Sequence, residues 1–206
     1  MPNHCSNALT VQGPRSRVFD FCRDHYRKPQ SWNPEKGFED EKTVLDFSYC
    51  APYPNGRVND DSWYDWRVNN WGTKWNAYDI SYLTFPEVIN AVHEDTEKDF
   101  ASIEYDFVTA WSPPAQWLDY ASEKYPDLTF ALAWFEPACD FYGATVLRAG
   151  DILTLEEGAC SSLVPDDVDW DDDEAAQDAW DQQVTAIEEK LQEIVSEGLT
   201  SADFLV

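Results

Sequence analysis

The chain has 206 residues, and its 40 acidic residues against 14 Lys and Arg give a formal net charge of −26 at pH 7. A field this negative repels phosphate groups, so direct nucleic-acid binding and binding to an anionic membrane are excluded as the main activity. Hydrophobic residues make up 43% of the chain and aromatic residues 15%. This is enough apolar surface for a packed core, which excludes a wholly disordered protein.

The N-terminus and the cysteines indicate a compartment. The first ten residues, MPNHCSNALT, contain neither the basic start nor the apolar run of a secretory signal peptide. The five cysteines are odd in number, and no two of them form a CxxC pair. We therefore expect reduced thiols in a cytoplasmic protein, with no metal ion bound by cysteine.

Helix caps and hydrophobic periodicity predict the order of elements up to residue 147. Pro14 and Pro113 suit first helical turns, and Thr84 and Ser112 are suitable N-caps. The predicted elements are a strand at 7–11, a helix at 14–26, an irregular insertion at 28–70, a strand at 74–82, a short helix at 84–92, a strand at 101–109, a helix at 112–125 and two strands at 128–135 and 141–147. Without the insertion, this order is βαββαβ plus one strand. It predicts an α+β domain over residues 1–158, with a ferredoxin-like antiparallel sheet and helices on one face.

The last fifth of the chain differs in composition. Residues 165–206 contain 14 acids and one base, Lys190. A long helix is predicted at 174–197, ended by Gly198. Its apolar stripe would pack this acidic segment, residues 159–206, on the domain; the stripe consists of Trp180, Val184, Ile187, Leu191 and Ile194.

Several segments resemble a known family. MPNHCSNALTVQG, WGTKWNA, FVTAWSPP, YPDLTFAL and FEPACDFYG are similar to the YubB ferredoxin-like family, whose members are encoded on bacteriophages and plasmids. The resemblance covers residues 1–150, and the family opening has Trp where this chain has His4. The acidic tail after about Gly158 lies outside it. The resemblance implies a ferredoxin-like fold and a mobile-element origin, and it implies no catalytic mechanism.

No catalytic or cofactor motif accompanies the three histidines. HExxH, GxSxG, GxGxxG and a phosphate-binding glycine loop are all missing from the sequence. Asp169, Asp171 and Asp173 have the spacing of a calcium loop, but Glu174 and Trp180 stand where that loop needs Gly and Glu. We therefore predict no catalytic residue, no metal ion and no cofactor.

The tryptophans near residue 70 allow two interpretations. Trp63, Trp66, Trp71 and Trp75 form either a stacking platform for sugars or bases, or an aromatic core beneath the insertion, which is commoner for Trp. The motif in their midst is predicted to be structural, with polar side chains that hold the insertion by hydrogen bonds. It consists of Trp71, Gly72, Thr73, Lys74, Trp75 and Asn76.

The acidic tail is the predicted partner-binding surface. Acids before a helix are stabilised by the helix dipole and can act as a solvated cap. Carboxylates held on a rigid helix can instead imitate the phosphate row of DNA. The predicted contact residues are Asp166, Asp167, Asp169, Asp171, Asp172, Asp173, Glu174, Asp178 and Asp181.

The leading functional hypothesis combines this surface with the mobile-element origin. We expect a non-enzymatic phage or plasmid protein that inhibits a host nucleic-acid-binding defence protein, such as a restriction enzyme or a CRISPR complex, by DNA mimicry. Its partner would be a host protein with a basic surface. The alternatives are a mobile-element enzyme or small-ligand binder with a cleft at the tryptophan-rich insertion, a structural or accessory phage protein, and simple adaptation to high salt.

Overall fold

The computed structural model describes residues 3–26, 43–54, 63–164 and 173–203. The strands in these ranges are β1 His4–Pro14, β2 His93–Asp95, β3 Phe100–Ala110, β4 Thr129–Glu136, β5 Phe141–Arg148 and β6 Asp151–Gly158. The helices are α1 Arg15–Asp24, α2 Trp63–Trp71, α3 Phe85–Ala91, α4 Ala115–Lys124 and α5 Asp173–Asp203. Within the described ranges, none of these helices combines the length and apolarity needed to cross a bilayer.

The strands form one antiparallel sheet in the order β2-β3-β1-β4-β5-β6. The first four follow the ferredoxin-like order, with α1 between β1 and β2 and α4 between β3 and β4. The hairpin β5–β6 extends the sheet beyond β4. The predicted α+β, ferredoxin-like fold is therefore confirmed.

The main core lies between the sheet and the pair α1 and α4. Phe21 of α1 and Trp117 of α4 are fully buried against Leu9, Ile103 and Phe130 from the three central strands. Buried residues alternate along β1 and β3, because successive side chains of a strand point to opposite faces.

α5 covers the opposite face of the sheet. Ile187, Leu191 and Ile194 pack on Ala133 of β4 and Ala144 of β5, which face away from the main core. Helices therefore lie on both faces of the sheet at its β4–β6 end. The apolar stripe predicted from the sequence is the buried face of α5, except that Trp180 is 45% exposed.

One predicted strand is wrong, one predicted helix begins later than expected, and two strands, β2 and β6, were not predicted. Residues 74–82 form no strand, and their contact with the edge of β3 includes a single isolated bridge, between Tyr78 and Val108. The short strand β2 instead occupies the position beside β3 in the ferredoxin-like order. α4 begins at Ala115, because the Ser112 hydroxyl donates a hydrogen bond to the Gly72 carbonyl at 2.5 Å instead of capping the helix.

The predicted end of α5 at Gly198 is also wrong, because the helix continues to Asp203. Gly198 faces β5 and β6, where an added Cβ would overlap the Val146 side chain and lie 3.0 Å from Thr154 Oγ1. The glycine therefore allows close packing of the helix on the sheet and does not end the helix.

Gly198→Ala should lower the free energy of unfolding by about 1 kcal/mol. Replacing Gly with Ala in a helix normally stabilises it by ~1 kcal/mol, but overpacking at a tight contact costs ~1–3 kcal/mol. Urea denaturation measures the change. Ser201→Ala, at an exposed position on the same helix, is the control and should change stability by less than about 0.5 kcal/mol. A stabilised Gly198→Ala variant would contradict the close packing.

Candidate partner-binding surface

The predicted acidic contact residues are only partly described by the structure. Asp166, Asp167, Asp169, Asp171 and Asp172 lie outside the described residues. Asp173 and Glu174 begin α5, although their side chains are also outside the described part. Asp178 and Asp181 are exposed on α5.

The solvent face of α5 carries a row of carboxylates opposite its apolar stripe. The exposed acids between residues 176 and 202 are Asp178, Asp181, Glu188, Glu189, Glu193 and Glu197. At ~1.5 Å per residue, the 19 steps along the helix from Asp178 to Glu197 span roughly 28 Å. Six charges over this distance give one per ~6 Å, against one per ~3.4 Å along a single DNA strand. The α5 row alone is therefore sparser than a phosphate row. In the sequence it is preceded by the denser segment 166–174, which has seven acids in nine residues.

Lys190 joins the α5 row to strand β6. Its ammonium group lies 3.2 Å from Glu156 Oε1 of β6 and 3.1 Å from Glu193 Oε2 of α5. Hydrogen bonds to Glu193 and Glu156 raise the pKa of Lys190. The one base between residues 176 and 202 is therefore engaged by two carboxylates, so it links two acidic elements without making a basic patch.

The arginines of α1 are paired with acids in the same way. Arg17 contacts Asp20 at 3.0 Å, and Arg23 contacts Asp20 at 2.8 Å and Asp24 at 3.0 Å. Hydrogen bonds to Asp24 and Asp20 raise the pKa of Arg23. The positive charges of Arg17 and Arg23 are therefore paired with carboxylates of the same helix.

Two residues of the tryptophan motif hold the insertion against the end of β3. The Thr73 hydroxyl is fully buried; it donates to the Ala110 carbonyl at 2.9 Å and accepts from the Ala110 amide at 3.1 Å. Gly72 has a φ of +86°, and an added Cβ would lie 2.9 Å from the Pro113 carbonyl oxygen. The turn therefore fits closely against the segment between β3 and α4.

Trp71 and Asn76 connect the motif to the segment around residue 47. The Trp71 indole is 3% exposed and donates to the Ala51 carbonyl at 2.9 Å. The Asn76 side chain accepts from the Phe47 amide at 3.0 Å and donates to Asp46 Oδ1 at 2.9 Å. These contacts have the form expected of a structural motif.

The remaining tryptophans are divided between core and surface. Trp66 packs at the edge of the main core and meets Trp71 with ring centroids 5.9 Å apart. Trp63 and Trp75 are half-buried. Lys74 lies over the Trp75 ring, with its ammonium 5.3 Å from the ring centroid. The aromatic-core interpretation therefore describes Trp71 and Trp66, while Trp63 and Trp75 reach the surface.

A buried histidine and a cysteine, not singled out in the sequence, meet at the C-terminal end of α1. His25 Nδ1 lies 2.9 Å from the Phe21 carbonyl oxygen, and Nε2 lies 3.2 Å from Cys50 Sγ. Since a carbonyl only accepts, Nδ1 carries the proton and Nε2 accepts from the thiol. Their separation of 25 residues in the chain left no motif spacing to find.

This pair favours its neutral form. Burial lowers the pKa of His25 to about 4, and burial raises the pKa of the Cys50 thiol to about 12. Nucleophilic catalysis by cysteine needs the opposite shift, a thiol pKa lowered toward neutral pH. The geometry therefore favours a satisfied polar contact in the core over a catalytic couple.

Comparisons with known proteins agree with this fold. Residues 91–187 match the family model described as the ferredoxin-like domain in Api92-like protein. The match begins at β2 and continues past Gly158 into α5, so the similarity does not end before the acidic tail. A search of curated proteins found no match.

A solved structure is also similar. The crystal structure of protein api92 from Yersinia pseudotuberculosis has a TM-score of 0.53 and 10% sequence identity to this chain. The alignment covers 76% of this chain and 98% of that protein. At this identity the likeness concerns the fold alone.

Proposed function

We propose that this chain is a non-enzymatic, acidic protein that binds and inhibits a nucleic-acid-binding host protein by occupying its basic groove. The observation that carries the proposal is the row of exposed carboxylates on α5, a helix held to the sheet by a buried apolar face. Rigid charges lose less entropy on binding than charges on a flexible tail, so they favour complementary electrostatic recognition.

The biological setting is part of the same proposal. The resemblance to the YubB family favours a phage or plasmid origin and action in the host cytoplasm, with a restriction enzyme or CRISPR complex as partner. The charge of −26 favours a basic partner over a nucleic acid. A cysteine enzyme built on the His25–Cys50 contact has less support, because burial favours the neutral form of both groups.

Salt and neutralised variants test the proposal. The tagged protein should capture nucleic-acid-binding proteins from a bacterial lysate at 50 mM salt. Capture should fall at least about tenfold at 500 mM salt, since exposed charges are screened beyond ~4 Å there. Added duplex DNA should compete for the captured proteins. Mass spectrometry identifies them, and a DNA-binding assay with the purified partner measures inhibition.

A pair of charge-matched variants locates the contact. The tail variant changes six Asp residues to Asn, at Asp166, Asp167, Asp169, Asp171, Asp172 and Asp173. The body variant also removes six exposed acids, as amides, at Asp65, Glu97, Glu104, Asp106, Asp119 and Glu123. We expect the tail variant to lose capture and inhibition and the body variant to keep both. Equal capture by the two variants, or capture that ignores salt and DNA, would overturn the proposal.

A further inference from the structure

Strand β6 forms an end of the sheet that has no further strand beside it within the described residues. It pairs only with β5, so one edge of its backbone faces outward. Free backbone N–H and C=O groups at a sheet edge can pair with another extended chain. The eight residues of β6 correspond to roughly 26 Å of strand at ~3.3 Å per residue.

Two large aliphatic side chains are exposed on this edge strand. Ile152 is 59% and Leu155 is 54% exposed. They lie opposite Leu147 and Thr145 of β5, on the sheet face that carries α1 and α4. α5 lies on the other face, where Thr154 and Glu156 meet Gly198 and Lys190. The two aliphatic residues therefore contribute nothing to the packing of α5.

The charges around β6 decide what kind of chain could pair there. Asp151, Glu156 and Glu157 are exposed on the strand, and Glu123 of α4 lies beside the turn before it. Of the nearby bases, Lys190 is engaged by Glu156 and Glu193, and Arg148 lies opposite Asp151. Pairing β6 of two copies would bring two sets of three acids together, which like-charge repulsion disfavours.

We propose that the outer edge of β6 binds an extended basic segment of a partner protein by strand addition. The segment's backbone would pair with β6, and its apolar residues would cover Ile152 and Leu155. Its Lys or Arg residues, on the opposite face, would meet Asp151 and Glu156. This mode takes affinity from main-chain hydrogen bonds and specificity from alternate side chains. Ile152 and Leu155 lie on the sheet face away from α5, so the inference does not depend on the proposed function.

Peptides of defined sequence test the strand addition. The probe is a fluorescein-labelled peptide KVKVKVKV, and the control is KVKPKPKV, which has the same charge but lacks two backbone N–H groups. We expect fluorescence anisotropy to show at least about tenfold weaker binding of the proline peptide, because strand addition depends on main-chain hydrogen bonds. Amide hydrogen exchange should show new protection in residues 151–158 when the first peptide is bound.

Matched variants separate this edge from the rest of the acidic surface. Ile152→Lys combined with Leu155→Lys should weaken KVKVKVKV at least about tenfold, through lost apolar cover and added repulsion. Leu83→Lys, at a side chain 73% exposed outside β6, should leave the affinity unchanged, as should Glu188→Gln with Glu189→Gln on α5. Circular dichroism checks that each variant is folded.

Three results would overturn the inference. Equal affinity for the two peptides would mean that charge alone attracts them. Protection of α5 amides in place of residues 151–158 would assign the peptide to the helix. A concentration-dependent dimer that Ile152→Lys with Leu155→Lys abolishes would make a second copy the occupant of the edge.

The tail variant with six Asp→Asn changes should still bind KVKVKVKV, so failure of the groove inhibitor proposal and failure of this one are distinguishable.

Discussion

Between pH 8 and pH 5, His25 should cost the protein about 2 kcal/mol of stability, because 1 pKa unit corresponds to ~1.36 kcal/mol. Burial lowers the pKa of His25 to about 4, against an ordinary value of 6.5. As the pH falls below 6.5, the unfolded chain binds a proton at this imidazole and the folded protein does not. Acid therefore favours the unfolded state. The contribution is absent well above pH 6.5, grows as the pH falls and reaches its full size below about pH 4.

Urea denaturation at pH 8, 6 and 5 measures this loss. The 40 carboxylates also respond to acid, so the comparison is between the native protein and His25→Gln, which keeps the carboxylates and removes the imidazole. Between pH 8 and pH 5, the free energy of unfolding of His25→Gln should fall by about 2 kcal/mol less than that of the native protein. His93→Gln, at an exposed position on β2, is the control for loss of an imidazole. NMR titration of the native protein gives a second readout, and a His25 pKa near 6.5 would contradict the prediction.

Gly72→Ala should lower the free energy of unfolding by at least about 2 kcal/mol, since it combines two costs. A non-glycine residue at the φ of +86° found here is strained by ~1–3 kcal/mol. The added Cβ would also lie 2.9 Å from the Pro113 carbonyl oxygen and 3.0 Å from the Ala115 nitrogen, both backbone atoms of the adjoining segment. Fitting it requires movement of the chain between β3 and α4, at a further ~1–3 kcal/mol.

Gly150→Ala is the control that separates these costs. Gly150 has a nearly equal φ of +84°, but its added Cβ would meet only the Glu123 side chain, which can rotate away. We expect Gly150→Ala to cost about 1 kcal/mol, from backbone strain alone. Urea denaturation measures both changes, and the dependence of the free energy of unfolding on urea concentration should be the same for both variants and the native protein. Equal losses for the two variants would mean that the motif turn does not fit closely against residues 113–115.

Elements with a strong helical period or a local cap could be predicted from the sequence. Thr84 and Glu87 form the capping box of α3: the Thr84 hydroxyl accepts from the Glu87 amide, and the Glu87 carboxylate accepts from the Thr84 amide. The apolar spacing of Ile187, Leu191 and Ile194 likewise predicted a helix that packs on the domain. These signals are read between residues three or four apart, so no knowledge of the fold is needed.

Edge strands and long-range contacts could not be predicted in this way. β6 exposes Ile152 and Leu155 together with its acids, so its sequence lacks the alternation of a half-buried strand. Residues 74–82 contain the aromatic and β-branched residues typical of strands, but most of the segment makes turns that join the insertion to β3. Strand preference reflects the fit of side chains to their neighbours, and those neighbours are known only from the fold.

Composition and periodicity by themselves determined that this protein is acidic, has a packed core and ends in an amphipathic helix with its acids on one side. Only the tertiary structure decided that α5 lies on the second face of the sheet, because docking depends on Gly198 meeting Val146. It also brought together His25 and Cys50, Lys190 and Glu156, and Thr73 and Ala110. Charge and helical period are properties of short segments, whereas these contacts join residues 25 to 52 positions apart, and the folded chain alone sets the distances between them.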